Sequence, residues 1–145
     1  MNYQLNAGSA SIIDAGISLQ LLVNRMVSSL TDISIRNRIS VVNEVSRDIQ
    51  VVADKTKIAA IIEELLTTVI ANARNSKIYV TADRFRDIVI LNIQDQNNNN
   101  GYALEFSIRA IEQEINEAGG SLTIDGKQKK VATVSFSFQN YLQTA

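Results

Sequence analysis

Apolar residues recur at three- and four-residue intervals in three parts of the chain, which is the pattern of a helix with one buried face. They predict helices over residues 18–34 and 55–74, and a third helix that carries Ala103 to Ile115 and ends at Gly119 and Gly120. Glycine often ends a helix because it adopts the left-handed conformation at little cost. We expect the side chain of Asp54 to cap the start of the second helix.

Runs rich in β-branched residues lie between these helices and predict strands. The runs cover residues 11–13, 38–45, 77–83, 87–95, 121–125 and 131–138. The last four form two pairs at the spacing of antiparallel hairpins. The order β-α-β-α-β-β-α-β-β predicts an α/β fold: a two-layer α/β sandwich, with three helices on one face of a mixed, mainly antiparallel sheet.

The length of 145 residues predicts one domain. We expect this domain to span residues 10–140, between a flexible N-terminus at 1–9 and a C-terminal tail at 141–145. The net charge of −1 gives no basic surface for nucleic acid. No apolar run reaches the roughly 20 residues of a membrane-spanning helix, and no signal peptide is evident, so we expect no membrane insertion and a cytoplasmic location.

Two residue types with catalytic chemistry are missing, since the chain has no cysteine and no histidine. These absences exclude disulfides, thiol nucleophiles, Ser-His-Asp catalysis and a phosphohistidine on this chain. Glu63 and Glu64 do not form a catalytic pair, because adjacent helical residues point about 100° apart, and we expect both to be solvated. Lys127, Lys129 and Lys130 indicate a charged hairpin tip.

Four short segments stand in a suggestive order and spacing. They are L-L-T-T-V-I-A-N-A at 65–73, I-Q-D-Q-N-N-N at 93–99, G-Y-A-L at 101–104 and E-A-G-G-S-L-T-I at 117–124. With the predicted order of elements, they resemble the ATP-binding domain of sensor histidine kinases, a branch of the gyrase and histidine-kinase ATPase superfamily with the Bergerat fold. The resemblance extends from about Ile12 to Phe138 and implies ATP and magnesium as the ancestral ligands.

The resemblance also implies roles for individual residues. Asn72 stands where the family's N-box asparagine holds the magnesium ion that bridges the nucleotide phosphates. Asp95 stands where an aspartate accepts a hydrogen bond from the adenine amino group, and Gly101 and Leu104 are what is kept of the second glycine motif. Thr68 occupies the position of the residue that orients or activates the attacking group, although a neutral hydroxyl is a poor general base.

The chain also departs from the family pattern around the phosphates. Asn97 and Asn99 replace glycines that let the backbone approach the nucleotide. Since asparagine tolerates positive φ, we expect the turn to survive while the added side chains fill ligand space. Only five residues separate Asp95 from Gly101, too few for the lid that covers the triphosphate in the family. The phosphates would rely on the N-box asparagine, the N-terminus of the third helix and Arg74.

These features imply a histidine-kinase-like ATPase domain of a two-component system with degraded ATP binding, a pseudokinase that acts through contacts with a response regulator, a kinase or a second copy. The alternative is a functional ATP- and magnesium-binding catalytic domain whose phosphoacceptor histidine lies on another chain or segment. A small-molecule sensor that uses the vacated cleft is a third interpretation. Taken singly, Asn72 and Asp95 also suit structural roles, in a helix cap and an Asx-turn.

Overall fold

The computed structural model describes residues 16–141, which form five helices and seven strands. The elements are β1 (Ile17–Ser18), α1 (Leu19–Ser29), α2 (Thr31–Asn37), β2 (Ile39–Asn43), β3 (Gln50–Val51), α3 (Lys55–Asn72), β4 (Ser76–Phe85), β5 (Ile88–Asp95), α4 (Gly101–Arg109), α5 (Glu112–Glu117), β6 (Ser121–Asp125) and β7 (Ala132–Gln139). The predicted strand at 11–13 lies outside the described residues.

The main sheet has five strands in the order β2-β4-β5-β7-β6. β2 is parallel to β4, and every other neighbouring pair is antiparallel. The predicted mixed, mainly antiparallel sheet and both predicted hairpins are confirmed. β1 and β3 form a separate antiparallel pair that the sequence did not predict. Two-residue strands are too short to produce a recognisable alternation.

One face of the sheet packs against the helices. Buried residues alternate along its central strands, as in Val89, Leu91 and Ile93 of β5, and join the apolar face of α3 in the core. The opposite face is polar, and its side chains bond across strands, as when Ser135 Oγ donates to Asn92 Oδ1 over 2.7 Å. This segregation confirms the predicted two-layer sandwich.

Two of the three predicted helices are each divided in two. The first breaks at Leu30, where the backbone leaves helical geometry with φ −103° and ψ 18°. The third breaks between α4 and α5, although Gly119 ends it as predicted, with φ +77°. Apolar residues keep their helical spacing through both breaks, because α1 with α2, and α4 with α5, bury their apolar sides on the same core. Periodicity alone therefore does not reveal a break.

The predicted side-chain cap at Asp54 is wrong. This residue does precede α3, but its backbone is left-handed, with φ 48° and ψ 51°, and its side chain makes no capping hydrogen bond. A side-chain cap normally requires an extended backbone at that position. Asp54 instead contributes its carbonyl oxygen, which accepts the first helical hydrogen bond from the Ile58 amide at 3.0 Å. Within residues 16–141, no helix combines the length and the apolar character needed to cross a bilayer.

Candidate functional site

The sandwich brings the ends of α3 and β5 close to the start of α4. Asn72 is the last residue of α3, Asp95 the last of β5 and Gly101 the first of α4. β4 begins at Ser76, shortly after α3, and its residue Ile78 pairs with Asp95 across the hairpin. The sheet register therefore places Asp95 beside the segment that leaves α3.

The carboxylate of Asp95 is buried and engaged in hydrogen bonds. The residue is only 4% exposed. Its Oδ1 atom accepts hydrogen bonds from the Ser76 hydroxyl and from the Asn97 amide, the latter at 3.0 Å. The bond to the amide two residues later is an Asx-turn. The sequence did not predict the contact between Ser76 and Asp95, because the two residues lie 19 positions apart in the chain.

The side chain of Asn97 ties the loop after β5 to the segment after α3. Its Nδ2 atom donates to the carbonyl oxygens of Arg74, at 3.3 Å, and Asn75, at 3.1 Å. Neither Asn97 nor Asn99 has a positive φ, whereas Asn75 has φ 50°. The loop therefore forms without the glycine-like backbone that we expected at positions 97 and 99.

The polar side chains at the end of α3 bond back to their own helix. Asn72 Nδ2 donates to the carbonyl oxygen of Thr68 at 2.8 Å. Arg74 Nη1 donates to the carbonyl oxygens of Ala71 and Ala73, both at 2.8 Å. Ala71 is among the last four residues of α3, whose carbonyl groups have no partner within the helix, so Arg74 satisfies one of them. Arg74 is thus bound to the helix end and not directed toward an anion.

Asn37 is a second residue that the sequence did not single out. It is the last residue of α2 and is buried, and its Nδ2 atom donates to the carbonyl oxygen of Ile70 at 3.0 Å. Its own carbonyl oxygen accepts from the Asn75 amide at 2.9 Å. Asn37 therefore connects the end of α2 to the C-terminal end of α3. The sequence near Asn37 contains no pattern that predicts this long-range contact.

The N-terminus of α4 is capped and covered. The Asn100 side chain accepts a hydrogen bond from the Ala103 amide at 3.0 Å. A Cβ atom on Gly101 would lie 1.9 Å from the carbonyl oxygen of Lys127, so only glycine allows this close approach. Leu104 is buried in the core. The two residues kept from the second glycine motif thus serve packing between α4 and the turn between β6 and β7.

Asn98 anchors that turn, which we call the β6–β7 turn and define as residues 126–131. Its Nδ2 atom donates to the carbonyl oxygens of Lys127, at 3.0 Å, and Lys129, at 2.9 Å. Its backbone amide donates to the Lys130 carbonyl oxygen at 2.7 Å. Asn99 is exposed. Asn97, Asn98 and Asn100 therefore tie the loop to the segment after α3, to the β6–β7 turn and to the start of α4.

Three ion pairs connect charged side chains of the β6–β7 turn, α4 and α5. Lys127 Nζ lies 2.8 Å from Glu105 Oε1, and Arg109 bridges Glu105 and Glu112. The hydrogen bond from Lys127, with the positive charges of Lys127 and Arg109, holds the pKa of Glu105 below its ordinary value. The ion pair between Lys127 and Glu105 connects the β6–β7 turn to α4. Exposed ion pairs of this kind contribute little individually to the free energy of unfolding.

Glu64 pairs across helices with Glu114, not with its neighbour Glu63. Partial burial, followed by the negative charge and hydrogen bond of Glu114, raises the pKa of Glu64 from its ordinary value of 4.5. The exposure of Glu63 and Glu64 agrees with the solvated residues we expected, but the contact of Glu64 with α5 was not foreseen. Among residues 16–141, no cluster of three acidic side chains is placed to hold a metal ion.

Several residues at the motif positions already have partners within the protein. Asp95 was predicted from the family resemblance to bind adenine, and Oδ1 of its carboxylate already accepts two hydrogen bonds. At the start of α4, the Ala103 amide donates to the Asn100 side chain, and the backbone of Lys127 lies against Gly101. Asn97 Nδ2 is bound to the carbonyl oxygens of Arg74 and Asn75. At the start of α4, one helix amide and the space beside Gly101 are therefore already occupied.

Comparison with solved structures identifies the fold. The chain is similar to the Acinetobacter baumannii histidine kinase AdeS, with a TM-score of 0.74 and 12% identity over 88% of this chain and 67% of that one. It is also similar to the catalytic domain of histidine kinase ThkA in a nucleotide-free form, with a TM-score of 0.69 and 17% identity over 86% and 93%. The chain has the fold of the histidine-kinase ATPase domain.

Two further structures show other contexts of this fold. Full-length ShkA in complex with AMPPNP gives a TM-score of 0.74 at 12% identity, covering 90% of this chain and 32% of that one. ThkA in complex with response regulator protein TrrA gives 0.62 at 17% identity, covering 86% and 41%. The chain thus spans less than half of these larger kinases. No protein-family model and no curated protein matches the sequence.

Proposed function

We propose that this chain is a histidine-kinase-like ATPase domain with degraded ATP binding, which acts in two-component signal transduction through protein contacts. The observation that carries the proposal is the closed N-terminus of α4, where the Lys127 backbone lies against Gly101. Helix amides bind an anion only when they are free to point at it. Here the first turn of α4 is already capped by Asn100.

The adenine end supports the same proposal. The hydrogen bonds from Ser76 and Asn97 make the Asp95 carboxylate part of the loop's own structure. A ligand that recruits this carboxylate has to compete with partners already in place, and a displaced buried donor costs about 1–3 kcal/mol. Asn72 likewise uses its amide nitrogen within α3. These residues retain the positions of the family motif with structural partners of their own.

The proposed partners are a response regulator, a kinase or a second copy of this chain, and the proposed location is the cytoplasm. ThkA, which has the same fold, was solved in complex with a response regulator, so this type of domain occurs in protein assemblies of that kind. Net charge −1 and the absence of cysteine are compatible with such a role. A closed nucleotide cleft leaves the outer surfaces of the sandwich for contacts with these partners.

A second candidate function is a working ATP- and magnesium-binding domain, and it is favoured by the retained Asn72 and Asp95 at the ends of α3 and β5. ShkA, with the same fold, was solved with AMPPNP. Because this chain has no histidine, the phosphoacceptor would have to lie on another chain or segment. The activity would then be that of an ATP-dependent protein histidine kinase.

Titration with Mg-ATP and Mg-ADP separates the two candidates. Heat of binding and thermal unfolding should stay unchanged by nucleotide if the cleft is closed. A ligand present at about 100 times its dissociation constant would instead add about 2.7 kcal/mol to the free energy of unfolding. Micromolar binding that is lost in Asn72→Ala or Asp95→Ala would overturn the proposal in favour of the working domain.

Two controls keep that titration interpretable. Asp87→Ala changes an exposed residue in the turn between β4 and β5, outside the candidate site, and should leave any nucleotide binding unaltered. Asp95 is buried, so circular dichroism and a melting curve of the Asp95→Ala variant must first establish that it is folded at the titration temperature. Loss of binding then reports on the ligand contact and not on unfolding.

A further inference from the structure

The outer face of α4 carries two exposed aromatic side chains. Tyr102 is 57% exposed and Phe106 is 84% exposed, and their i, i+4 spacing puts them on the same side of the helix. Single exposed apolar residues are common, so the surroundings of this pair decide whether it forms a contact surface.

A groove lies between α3 and α4, and it is lined by Ala110, which follows Phe106 by one helical turn. Its sides include Thr67 and Thr68 of α3 and Ser107 of α4, with Ala110 and Ile111 at the helix end. The groove has a volume of about 480 Å³. That volume exceeds the roughly 150 Å³ cavity that accommodates a benzene ring. The surface thus offers both an aromatic side chain and an open groove large enough to receive one.

The two ends of α4 differ in charge. At its N-terminal end, the β6–β7 turn brings the exposed Lys129 and Lys130 next to Tyr102. At its C-terminal end, the exposed Glu63 and Glu64 of α3 border the groove, and Glu64 contacts Glu114 of α5. A nine-residue helix separates these ends by about 13 Å. Positive charge, aromatic rings and negative charge therefore follow one another along a single face.

Such a face is complementary to itself when it is turned by a two-fold rotation. The rotation that matches two copies of α4 in opposite directions places the lysine end of one against the glutamate end of the other. The aromatic pair of each copy then meets the groove of the other. Symmetric interfaces require this property, because one surface must be its own partner.

We propose that two copies of this chain form a symmetric dimer through this face. Phe106 of each copy packs in the groove between α3 and α4 of the other, and Lys129 and Lys130 of each face Glu63 and Glu64 of the other. This inference rests on the proposed function only in assuming that the chain acts through protein contacts. It goes further by naming a second copy of the chain as the partner. An acidic partner of another kind would use the lysine end alone and would leave the groove and the glutamates unoccupied.

The first test is the oligomeric state of the whole chain by sedimentation velocity across a concentration series. A concentration-dependent dimer is expected for the unaltered chain. Phe106→Ser should weaken dimerisation at least about tenfold, as expected for a central aromatic contact. Phe85→Ser is the matched control, since Phe85 is 65% exposed on β4, outside this face, and should leave the dimer intact. A monomer at every concentration would overturn the inference.

The second test uses reversed charges. The variants K129E/K130E and E63K/E64K should each be monomeric, because like charges would meet at both ends of the interface. Mixed together, they should form a heterodimer with the affinity of the unaltered chain, since every contact is again between opposite charges. Native mass spectrometry distinguishes the heterodimer from either homodimer. A dimer insensitive to Phe106→Ser, or charge variants that do not recover on mixing, would contradict the proposed interface.

Failure of this inference and failure of the proposed function are distinguishable. A dimer that binds Mg-ATP at micromolar concentration would overturn the degraded nucleotide site and leave the interface intact. A monomer that shows no response to Mg-ATP or Mg-ADP would overturn the interface and leave the degraded nucleotide site intact. Circular dichroism of each variant establishes folding, which these exposed substitutions should preserve because none of them enters the core.

Discussion

The Oγ atom of Ser76 donates a hydrogen bond to Oδ1 of Asp95, and both residues are buried. This bond joins the first residue of β4 to the last residue of β5. The Asn97 amide donates to the same carboxylate oxygen at 3.0 Å, and also to Ser76 Oγ at 3.1 Å. These three groups are all hydrogen-bonded to one another, and the carboxylate thereby holds the loop after β5 against the start of β4. The Asp95 carboxylate is therefore a structural part of the loop after β5.

Replacing Asp95 should therefore lower stability even without nucleotide. Asp95→Ala leaves the Ser76 hydroxyl and the Asn97 amide without their common acceptor and should reduce the free energy of unfolding by about 2–3 kcal/mol. Asp95→Asn keeps one acceptor oxygen and should cost about 1 kcal/mol. Urea unfolding followed by circular dichroism measures both. Asp87→Ala, at an exposed position, should stay within about 0.5 kcal/mol, and equal effects at the two sites would refute the structural role.

Gly101→Ala tests the cover over α4. Inside a helix this change alone should stabilise by about 1 kcal/mol. Here the new Cβ would meet the Lys127 backbone at 1.9 Å, so we expect a net loss of about 1–3 kcal/mol in urea unfolding. Gly119→Ala provides the comparison, because a Cβ there has nothing within 4 Å and the cost arises only from φ +77°. A stabilised Gly101→Ala variant would mean that the turn does not cover the helix.

Asn98→Ala should loosen the β6–β7 turn. The variant loses the hydrogen bonds to the carbonyl oxygens of Lys127 and Lys129 and should lower the free energy of unfolding by about 1–2 kcal/mol. Hydrogen exchange should accelerate at amides of residues 126–130. The adjacent Asn99→Ala is the matched control and should leave exchange unchanged. Identical exchange in the two variants would argue against an anchoring role for Asn98.

Glu64→Gln should stabilise the protein near neutral pH. Burial and the charge of Glu114 raise the pKa of Glu64 above 4.5, so its stabilising contribution is complete below about pH 4 and is lost as pH rises through the raised value. Glutamine removes the repulsion, and for exposed groups the gain should stay below about 1 kcal/mol. The difference from the unaltered chain should vanish at acid pH. Glu63→Gln should show no comparable pH dependence if the contact with Glu114 is responsible.

The secondary structure was predictable wherever one face of an element meets the core over several turns or residues. α3 and the hairpin of β4 and β5 follow this rule, and their predicted bounds lie within a few residues of the observed ones. The rule does not reveal the breaks at Leu30 and between α4 and α5. The two helices on either side of each break bury their apolar sides in the same core, so the helical spacing continues. It also fails for β1 and β3, which are too short to show a period. The local pattern of apolar residues predicts which side chains are buried, but it does not predict where the axis of a helix changes direction.

The sequence by itself determined the layer architecture, the hairpins and the places of Asn72, Asp95 and Gly101 along the chain, because these follow from periodicity and spacing between near neighbours. Only the tertiary structure decided what those residues contact. Ser76 reaches Asp95 across 19 residues, and the Lys127 backbone reaches Gly101 from the β6–β7 turn. Such contacts depend on strand register and on how the turn folds back over α4, and no local pattern encodes them. A motif therefore marks where a side chain stands, while its chemistry is set by the remote groups that the fold brings to it.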